Sequence, residues 1–457
     1  TRFPNHCVNS LLKFPDSFTA SEQDLVHVSF NMTLQHFSDA LYMTTSVSNI
    51  KMYPRVRSAF DACLELLVDS IEALSRSLSA VIHKGGSTQD VMTWLSAALT
   101  NLDTCAEGFE GVTGALKDHV VAKLNDLSQL VSNCLSIFAA TGGDDFAGAS
   151  VENKRLLASS PSNEEKFPKW VGRIERKLLD TPLSEIQADI IVSKDGNGTV
   201  ETISEAIKKA PENSSRRIVI YVRAGRYEET NLKVGRKKMN LMFIGDGKGK
   251  TVISGGKSVF DNVTTFHTAT FDTLYVHSNR QFYRECDIYG TVDFIFGNAA
   301  VVLQNCSIYA RKPMPFQKNT ITAQSRKDPH QNTGISIHAC RILPTPDLAV
   351  MNGSFQTYLG RPWKLHSRVV FMLSYMHDHI DPSGWLEWNG SFALDSLYYG
   401  EYMNYGAGAA VGQRVKWPGY RVITSESEAS NFTVAQFIYG TLWLPSTGIA
   451  FLAGLQV

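Results

Sequence analysis

The chain has 457 residues, more than one hydrophobic core usually organises, so at least two domains are expected. Hydrophobic residues make up 43% of the chain and no run of about 18 apolar residues occurs, so no membrane partner is expected. The 44 basic and 44 acidic residues balance, and no basic cluster is interleaved with aromatic residues, so no nucleic acid is expected either.

The cysteines and glycosylation motifs favour a secreted protein. Seven cysteines are present without the paired spacing of a zinc site, so no metal site is predicted. Seven Asn-x-Ser/Thr sequons accompany them, which is typical of a secretory route. The sequons begin at Asn31, Asn197, Asn213, Asn262, Asn352, Asn389 and Asn431.

Apolar residues at helical spacing between about Phe60 and Phe138 predict amphipathic helices. Glycines at 85–86 and between 108 and 114 separate these stretches, so residues 1–140 are predicted to form an antiparallel four-helix bundle. Cys63 and Cys105 lie on two of the apolar stripes. A disulfide between them is a candidate, with two buried free thiols as the alternative.

Residues 141–184 are predicted to be a linker, because Gly, Ala, Ser, Asn and Asp dominate their first half and cannot bury enough apolar surface to order themselves. Two basic-leucine tetrapeptides, Lys154–Leu157 and Arg176–Leu179, are either helix ends or a site for proteolytic processing.

Residues 185–457 carry short strands rich in Val, Ile, Phe and Tyr at intervals of about 20 to 30 residues, without intervening long helices. This pattern favours a parallel β-helix over a Rossmann sheet or a sandwich, so the fold class is multidomain α + β. The predicted strands are Ile218–Val222, Leu241–Ile244, Thr251–Ser254, Val301–Leu303, Ile335–Ile337 and Val369–Leu373.

Two aspartates and an arginine are the candidate catalytic residues. Asp293 lies in the apolar stretch Gly290–Gly297, where a charge is costly unless it is paired or used. Asp272 lies 21 residues earlier, so on a solenoid the two carboxylates would stack on adjacent coils. Arg361 can hold a carboxylate by two hydrogen bonds. The set indicates covalent catalysis by a carboxylate, with a structural ion pair as the alternative.

Aromatic residues cluster in sequence around these motifs. Tyr275, Phe296, Trp363 and Trp388 are the candidate substrate-binding residues, because sugar rings stack on aromatic faces. Ordinary core packing is the alternative for all four.

Several segments resemble the signature motifs of plant pectin methylesterases. They are Asp272–Arg284, Gly290–Gly297, Leu359–Trp363, Tyr221–Gly225 and Trp443–Gly448. The region before Ala140 resembles the invertase and pectin methylesterase inhibitor domain, and Arg176–Leu179 resembles that family's processing motif.

The resemblance implies a right-handed parallel β-helix that hydrolyses C6 methyl esters of homogalacturonan (pectin) in the cell wall. It implies Asp293 as nucleophile, Asp272 as proton donor, Arg361 as the residue that orients the nucleophile, and Thr265 and Trp363 as substrate contacts. It also implies that no cofactor is needed, and that the helical domain is an intramolecular inhibitor. A pectate lyase or polygalacturonase would need calcium-binding carboxylates or a further carboxylate pair, and neither is found.

The chain departs from the family pattern between Phe271 and Asp272. About 45 residues that the family has there, roughly two coils, are missing, and they would hold both oxyanion glutamines. The alternative to an active enzyme is therefore an impaired, pectin-binding or inhibitory pseudoenzyme. Cys286 and Cys306 lie one coil apart and are candidates for a disulfide, with Cys340 as an alternative partner for Cys306.

Overall fold

The fold is taken from a computed structural model. It describes residues 1–13, 20–46, 52–83, 85–142, 187–229, 232, 234, 237–238, 241–247, 250–254, 274–351, 353–447, 449 and 451–455. The chain forms two compact units. One comprises Thr1–Arg155, Phe271–Ser446 and Phe451–Val457, and the other comprises Leu156–Thr270 and Thr447–Ala450. Residues 143–186, which include the basic motifs, lie outside the described residues, so the linker stays a prediction.

Five helices open the first unit: α1 Pro4–Leu11, α2 Glu22–Ser46, α3 Pro54–His83, α4 Thr88–Gly108 and α5 Ala115–Gly142. Helix α4 begins with a capping box, in which Ser87 and Asp90 each accept a hydrogen bond from the backbone of the other. Helix α2 contacts α3 and α5, and α4 contacts α3 and α5. The predicted Cys63–Cys105 disulfide is confirmed and joins α3 to α4.

The second unit is built on short parallel strands. Its elements are β1 Ile190–Val192, α6 Ile203–Lys209, β2 Ile218–Val222, β3 Gly225–Glu228, β4 Leu241–Gly245 and β5 Thr251–Ser254. Strands β1, β2 and β4 form one parallel sheet, and β3 pairs with β5. The apolar side chains of β1 and β2 pack against Ile203 and Ile207 of α6.

The rest of the first unit is a parallel β-solenoid in which each of the coils from β6 to β17 places one strand in each of three sheets, and β18 and β19 extend the second sheet. Sheet one orders β15-β12-β9-β6, sheet two β19-β18-β16-β13-β10-β7, and sheet three β17-β14-β11-β8. The strands are β6 Leu274–Tyr275, β7 Arg280–Arg284, β8 Asp287–Gly290, β9 Ile295–Gly297, β10 Ala300–Gln304, β11 Ser307–Ala310, β12 Asn319–Gln324, β13 Gly334–His338, β14 Arg341–Pro344, β15 Thr357–Pro362, β16 Arg368–Met372, β17 Tyr375–Met376, β18 Tyr398–Tyr402 and β19 Tyr420–Val422.

Short helices complete the described part of this unit: α7 Pro346–Ala349, α8 Glu426–Ser430, α9 Val434–Phe437 and α10 Gly440–Trp443, with 3-10 turns at Ala407–Ala409 and Leu444–Thr447. Among the described residues no helix is long and apolar enough to cross a membrane.

Side chains at equivalent positions of successive coils stack along the solenoid. Val301 pairs with Ile335, which pairs with Val369, and all three are buried in one core. The corner after five of the six strands of sheet two repeats one backbone conformation, because Glu285, Asn305, Ala339, Leu373 and Met403 all have positive φ. A left-handed residue at the same position of each coil turns the chain into the next strand without breaking the stack.

The predicted Cys286–Cys306 disulfide is not formed: both cysteines and Cys340 are free in the structure. The register of β8, β11 and β14 places Cys306 between the other two. Each sulfur lies near a backbone carbonyl instead, at Arg284, Gln304 and His338. The stack of Cys286, Cys306 and Cys340 therefore consists of three thiols, each of which contacts a backbone carbonyl.

Candidate functional site

Asp293 lies at the start of a coil, two residues before β9, and its side chain is only 11% exposed. Its φ of 51° is left-handed. Thr320 on β12 holds it from the next coil: the Thr320 hydroxyl donates to Oδ1 at 2.6 Å, and the Asp293 amide donates to the hydroxyl oxygen at 2.9 Å. These two hydrogen bonds anchor the residue at the backbone and at the carboxylate.

Arg361 on β15 pairs with Asp293 through three contacts. Its Nε donates to Oδ1 at 2.9 Å and to Oδ2 at 3.1 Å, and a terminal nitrogen donates to Oδ2 at 2.6 Å. The strand register brings Arg361 close to Asp293. Phe296, which follows Asp293 in the same coil, and Arg361 both pair with Ala323 of β12, the strand between them. The planar guanidinium thus fixes both oxygens of a carboxylate that the Thr320 hydroxyl also contacts.

Aromatic rings surround this pair. The guanidinium carbon of Arg361 lies 4.5 Å from the ring centre of Trp388, which is 37% exposed. Tyr275 and Phe296 stack with their ring centres 4.5 Å apart, and Trp363 lies 6.1 Å from Phe296. We call Tyr275, Phe296 and Trp363 the aromatic row. Its position beside a partly exposed carboxylate suits a ligand with flat apolar faces.

Helix α4 lies against the aromatic row. The Thr104 hydroxyl is 3.3 Å from the Tyr275 hydroxyl and 2.9 Å from Nε2 of His277. Burial raises the pKa of Tyr275 above its ordinary value and lowers the pKa of His277 to about 4. Both side chains are therefore neutral in this contact near neutral pH.

Two ion pairs flank the Thr104 contact. Nζ of Lys327 lies 2.7 Å from Asp103, and Nζ of Lys364 lies 2.7 Å from Glu107. Burial raises the pKa of both carboxyl groups above their ordinary values, although the lysines oppose the shift. The four side chains line a cavity of about 350 Å³. Lys364 also lies over the Trp363 ring, with its nitrogen 5.5 Å from the ring centre.

The structure brings together Asp293, Arg361 and the four predicted aromatic residues. Asp272 and Thr265 lie outside the described residues. Among the residues that are described, no group of three or more His, Cys, Asp or Glu side chains is arranged to hold a metal ion.

Sequence reasoning missed Thr320 and the α4 residues that face the site. Thr320 follows Asp293 by 27 residues, whereas its partner Tyr358 on the next coil follows by 38. Because coils differ in length, a constant period does not find Thr320. A polar residue such as Thr104 on an amphipathic helix is also expected to face the solvent.

Two family models match the chain. The model described as Pectinesterase matches residues 189–272 and 271–441. The model described as Plant invertase/pectin methylesterase inhibitor matches residues 1–137. The pectinesterase match consists of two parts that meet at residues 271–272.

Two relatives from Arabidopsis thaliana are similar over nearly the whole chain. Probable pectinesterase/pectinesterase inhibitor 34 is 63% identical over 506 aligned positions, covering 100% of this chain and 84% of the relative. Probable pectinesterase/pectinesterase inhibitor 61 is 61% identical, covering 99% and 86%.

Among solved structures, the pectin methylesterase from carrot matches with a TM-score of 0.57 and 46% sequence identity. The match covers 59% of this chain and 99% of the carrot protein. The similarity therefore extends from sequence to fold over the part of the chain that aligns.

Proposed function

Because the chain belongs to the pectinesterase family of carboxylic ester hydrolases, and carries a plant invertase/pectin methylesterase inhibitor domain, we propose that it hydrolyses C6 methyl esters of homogalacturonan with Asp293 as the nucleophile. The observation that carries the proposal is the pairing of Asp293 with Arg361 beside an aromatic row. A structural ion pair would not need an exposed aromatic face such as that of Trp388 beside it.

In the proposed reaction, a carboxylate oxygen of Asp293 attacks the ester carbonyl carbon and forms an acyl-enzyme. The bond to the methoxy group breaks, and methanol leaves with a proton from Asp272. Water then hydrolyses the acyl-enzyme and regenerates the carboxylate. Arg361 and the Thr320 hydroxyl hold and orient the attacking carboxylate.

The role of Asp272 is supported by the strand register. Leu274 of β6 pairs with Ile295 of β9. Asp272 and Asp293 precede these two residues by the same number of positions. Two carboxyl groups in such a relation can differ in protonation, one acting as nucleophile and the other as acid.

The family relationship also supports a proposal about where in the organism the protein acts. Relatives of this chain are named pectinesterases, and the chain carries sequons typical of the secretory route. We propose that the protein is secreted and acts on pectin in the cell wall.

We also propose that the five-helix region contains an antiparallel four-helix bundle, and that the solenoid is right-handed.

The helical domain is proposed to inhibit the site within the same chain. Thr104, Asp103 and Glu107 contact residues in or beside the aromatic row. A polysaccharide cannot reach Tyr275 while α4 lies there. Removal of the helical domain at a basic motif such as Arg176–Leu179 would open the row.

The second candidate is a pseudoenzyme that binds pectin without hydrolysing it. The observation that favours it is the split family match at residues 271–272, together with an alignment of 506 positions against a chain of 457 residues. In the family, the missing segment supplies the oxyanion glutamines, and one such donor is worth about 10² to 10³ in turnover.

Methanol release from highly methylated pectin tests both candidates. It is measured on the purified full-length chain and on the protein after cleavage at Arg176–Leu179 and removal of the helical domain, with Asp293→Ala treated in the same way as the blank. Release well above the blank after cleavage supports hydrolysis by Asp293, and lower release from the full-length chain supports inhibition by the helical domain. Release equal to the blank after cleavage, from protein whose circular dichroism matches that of the variant, refutes the proposed hydrolysis and leaves pectin binding as the function.

A further inference from the structure

The hydrogen bonds and ion pairs of α4 with the solenoid are made mostly by hydroxyl and carboxylate side chains. Asn332 donates to the Thr93 hydroxyl at 3.0 Å, and Asn298 donates to the Thr100 hydroxyl at 2.9 Å. The Ser96 hydroxyl accepts from a backbone amide of the solenoid at 3.3 Å. The residues with hydroxyl or carboxylate groups are Asp90, Thr93, Ser96, Thr100, Asp103, Thr104 and Glu107, and the amide oxygen of Gln89 also accepts from Asn332.

The facing surface of the solenoid is built from amides, aromatic rings and lysines. Asn298 and Gln331 meet the middle of α4, Tyr275 meets Thr104, and Lys327 and Lys364 meet the two carboxylates. Protein interfaces usually place apolar side chains at the centre and deplete serine and acidic residues there. The hydrogen bonds and ion pairs between α4 and the solenoid are made by hydroxyl, carboxylate, amide and lysine side chains instead.

Hydroxyl groups and carboxylates in alternation are the functional groups of a chain of de-esterified galacturonate units. We infer that Lys327 and Lys364 bind the free carboxylates of such units, and that α4 occupies the same positions by presenting the same groups. The inference rests on the proposed function, because it names which part of the substrate chain these lysines recognise.

The geometry fits two charged groups on one extended ligand. Asp103 and Glu107 lie one helical turn apart, about 6 Å along the axis. Lys364 lies over the ring of Trp363, so a unit stacked on the aromatic row would have its carboxylate near that ammonium group. A methyl ester carries no charge. The two lysines therefore favour units that have already lost their methyl group, next to the unit being hydrolysed.

The test measures binding to full-length protein by titration calorimetry. The probes are a de-esterified galacturonate hexamer and its fully methyl-esterified form. In Asp103→Asn/Glu107→Gln, α4 no longer competes with charge, and we expect the de-esterified hexamer to bind about tenfold more tightly than to the unchanged protein. Adding Lys327→Gln and Lys364→Gln should remove that gain and change binding of the esterified hexamer less than twofold.

Matched controls use ion pairs outside this contact. Lys123→Gln/Lys237→Gln removes two lysines that pair with Asp126 and Glu212, at 3.7 Å each. Asp61→Asn/Glu72→Gln removes two carboxylates that pair with arginines on α3. Neither control should alter binding of the de-esterified hexamer. Thermal unfolding establishes that each variant is folded.

The inference is overturned if Asp103→Asn/Glu107→Gln gains no affinity for the de-esterified hexamer, or if the added lysine variants keep the gain. Methanol release is measured on the unchanged protein and on the lysine variant after removal of the helical domain. No release from either above the Asp293→Ala blank, with the binding pattern intact, would refute hydrolysis and leave the lysine sites standing. Release with no lysine-dependent binding would refute the lysine sites alone.

Discussion

At the scale of single residues, Asp293 illustrates how a buried carboxylate is paired and oriented. Removing a charge from water costs several kcal/mol, and a partner repays this only with good geometry and further hydrogen bonds. Arg361 contacts both oxygens, and Thr320 adds a third donor from another coil. The same contacts leave the carboxylate unable to rotate, as a nucleophile aimed at one carbonyl requires.

Replacing Thr320 with valine should lower the rate of methanol release. A hydrogen bond to a charged group is worth about 1.5 to 3 kcal/mol, so we expect a loss of at least about tenfold in kcat with KM nearly unchanged. Steady-state kinetics on methylated pectin measures both constants.

The matched control is Thr322→Val on the same strand, since the Thr322 hydroxyl donates to the Leu359 carbonyl and not to Asp293. Equal loss of kcat in both variants would show that Thr320 acts through strand stability and not through the carboxylate.

At the scale of elements, the approach of β15 to β12 depends on one glycine. A Cβ on Gly360 would lie 2.0 Å from the Thr322 hydroxyl and 2.7 Å from its backbone oxygen. Because Gly360 precedes Arg361, the spacing of these strands also sets where the guanidinium meets Asp293.

Gly360→Ala should lower the free energy of unfolding by about 1 to 3 kcal/mol, because the added methyl group overpacks the strand pair. Guanidinium unfolding followed by circular dichroism measures the change. Gly412→Ala is the control, since nothing lies within 4 Å of its Cβ position. Equal stability of both variants would mean that β15 shifts away at little cost.

The contact of α4 with the solenoid should depend on pH in two opposing ways. Burial in the contact raises the pKa of Asp103 and Glu107. The stabilisation that these two groups give to the contact is therefore present at low pH and is lost as pH rises through the raised pKa values. Contact lowers the pKa of His277 to about 4, so its stabilisation is present above the ordinary value of about 6.5 and is lost as pH falls. The charged groups that face the two carboxyls are Lys327, Lys364, Asp328 and Glu110.

Variants separate the two contributions. In His277→Asn, hydrogen exchange of the α4 amides, corrected for its intrinsic pH dependence, should accelerate as pH rises from 4 to 7. In Asp103→Asn/Glu107→Gln, it should accelerate as pH falls below about 6.5. The same pH dependence in both variants would contradict the assignment of these groups to the contact.

At the scale of the whole molecule, the alignment with a relative contains more positions than this chain has residues, which we interpret as a loss of coils. The alignment with the 63% identical Arabidopsis relative spans 506 positions, and the family match is split between residues 271 and 272. A solenoid can lose whole coils and keep its stacking, because each coil contacts only its neighbours. The described coils after Leu274 retain continuous sheets.

Inserting the relative's missing segment between Phe271 and Asp272 should raise methanol release by about 10² to 10³, because the segment restores donors to the developing oxyanion. The control is the same insertion with both family glutamines replaced by alanine. If that control gains as much as the complete insertion, the missing coils act through stability and not through oxyanion donors.

Much of the architecture could be predicted from local pattern. Apolar spacing located helices α3, α4 and α5, and the six predicted strands coincide with β2, β4, β5, β10, β13 and β16. The sequence also singled out Asp293 and Arg361, because a charge in an apolar stretch and a forked donor in a Gly-Arg-Pro-Trp sequence are unusual in themselves. The disulfide expected between Cys286 and Cys306 was wrong, since spacing does not determine whether stacked thiols bond.

What the sequence by itself determined is the type of helices α3 to α5 and of the six predicted strands, because helical and strand periodicity are local properties of the chain. Only the tertiary structure decided which elements meet. Thr320 reaches Asp293 because coils of unequal length stack in register. Thr104 reaches Tyr275, and Asp103 and Glu107 reach Lys327 and Lys364, because the polar surface of α4 packs against the solenoid. Both outcomes depend on contacts between residues far apart in the chain, which no local pattern encodes.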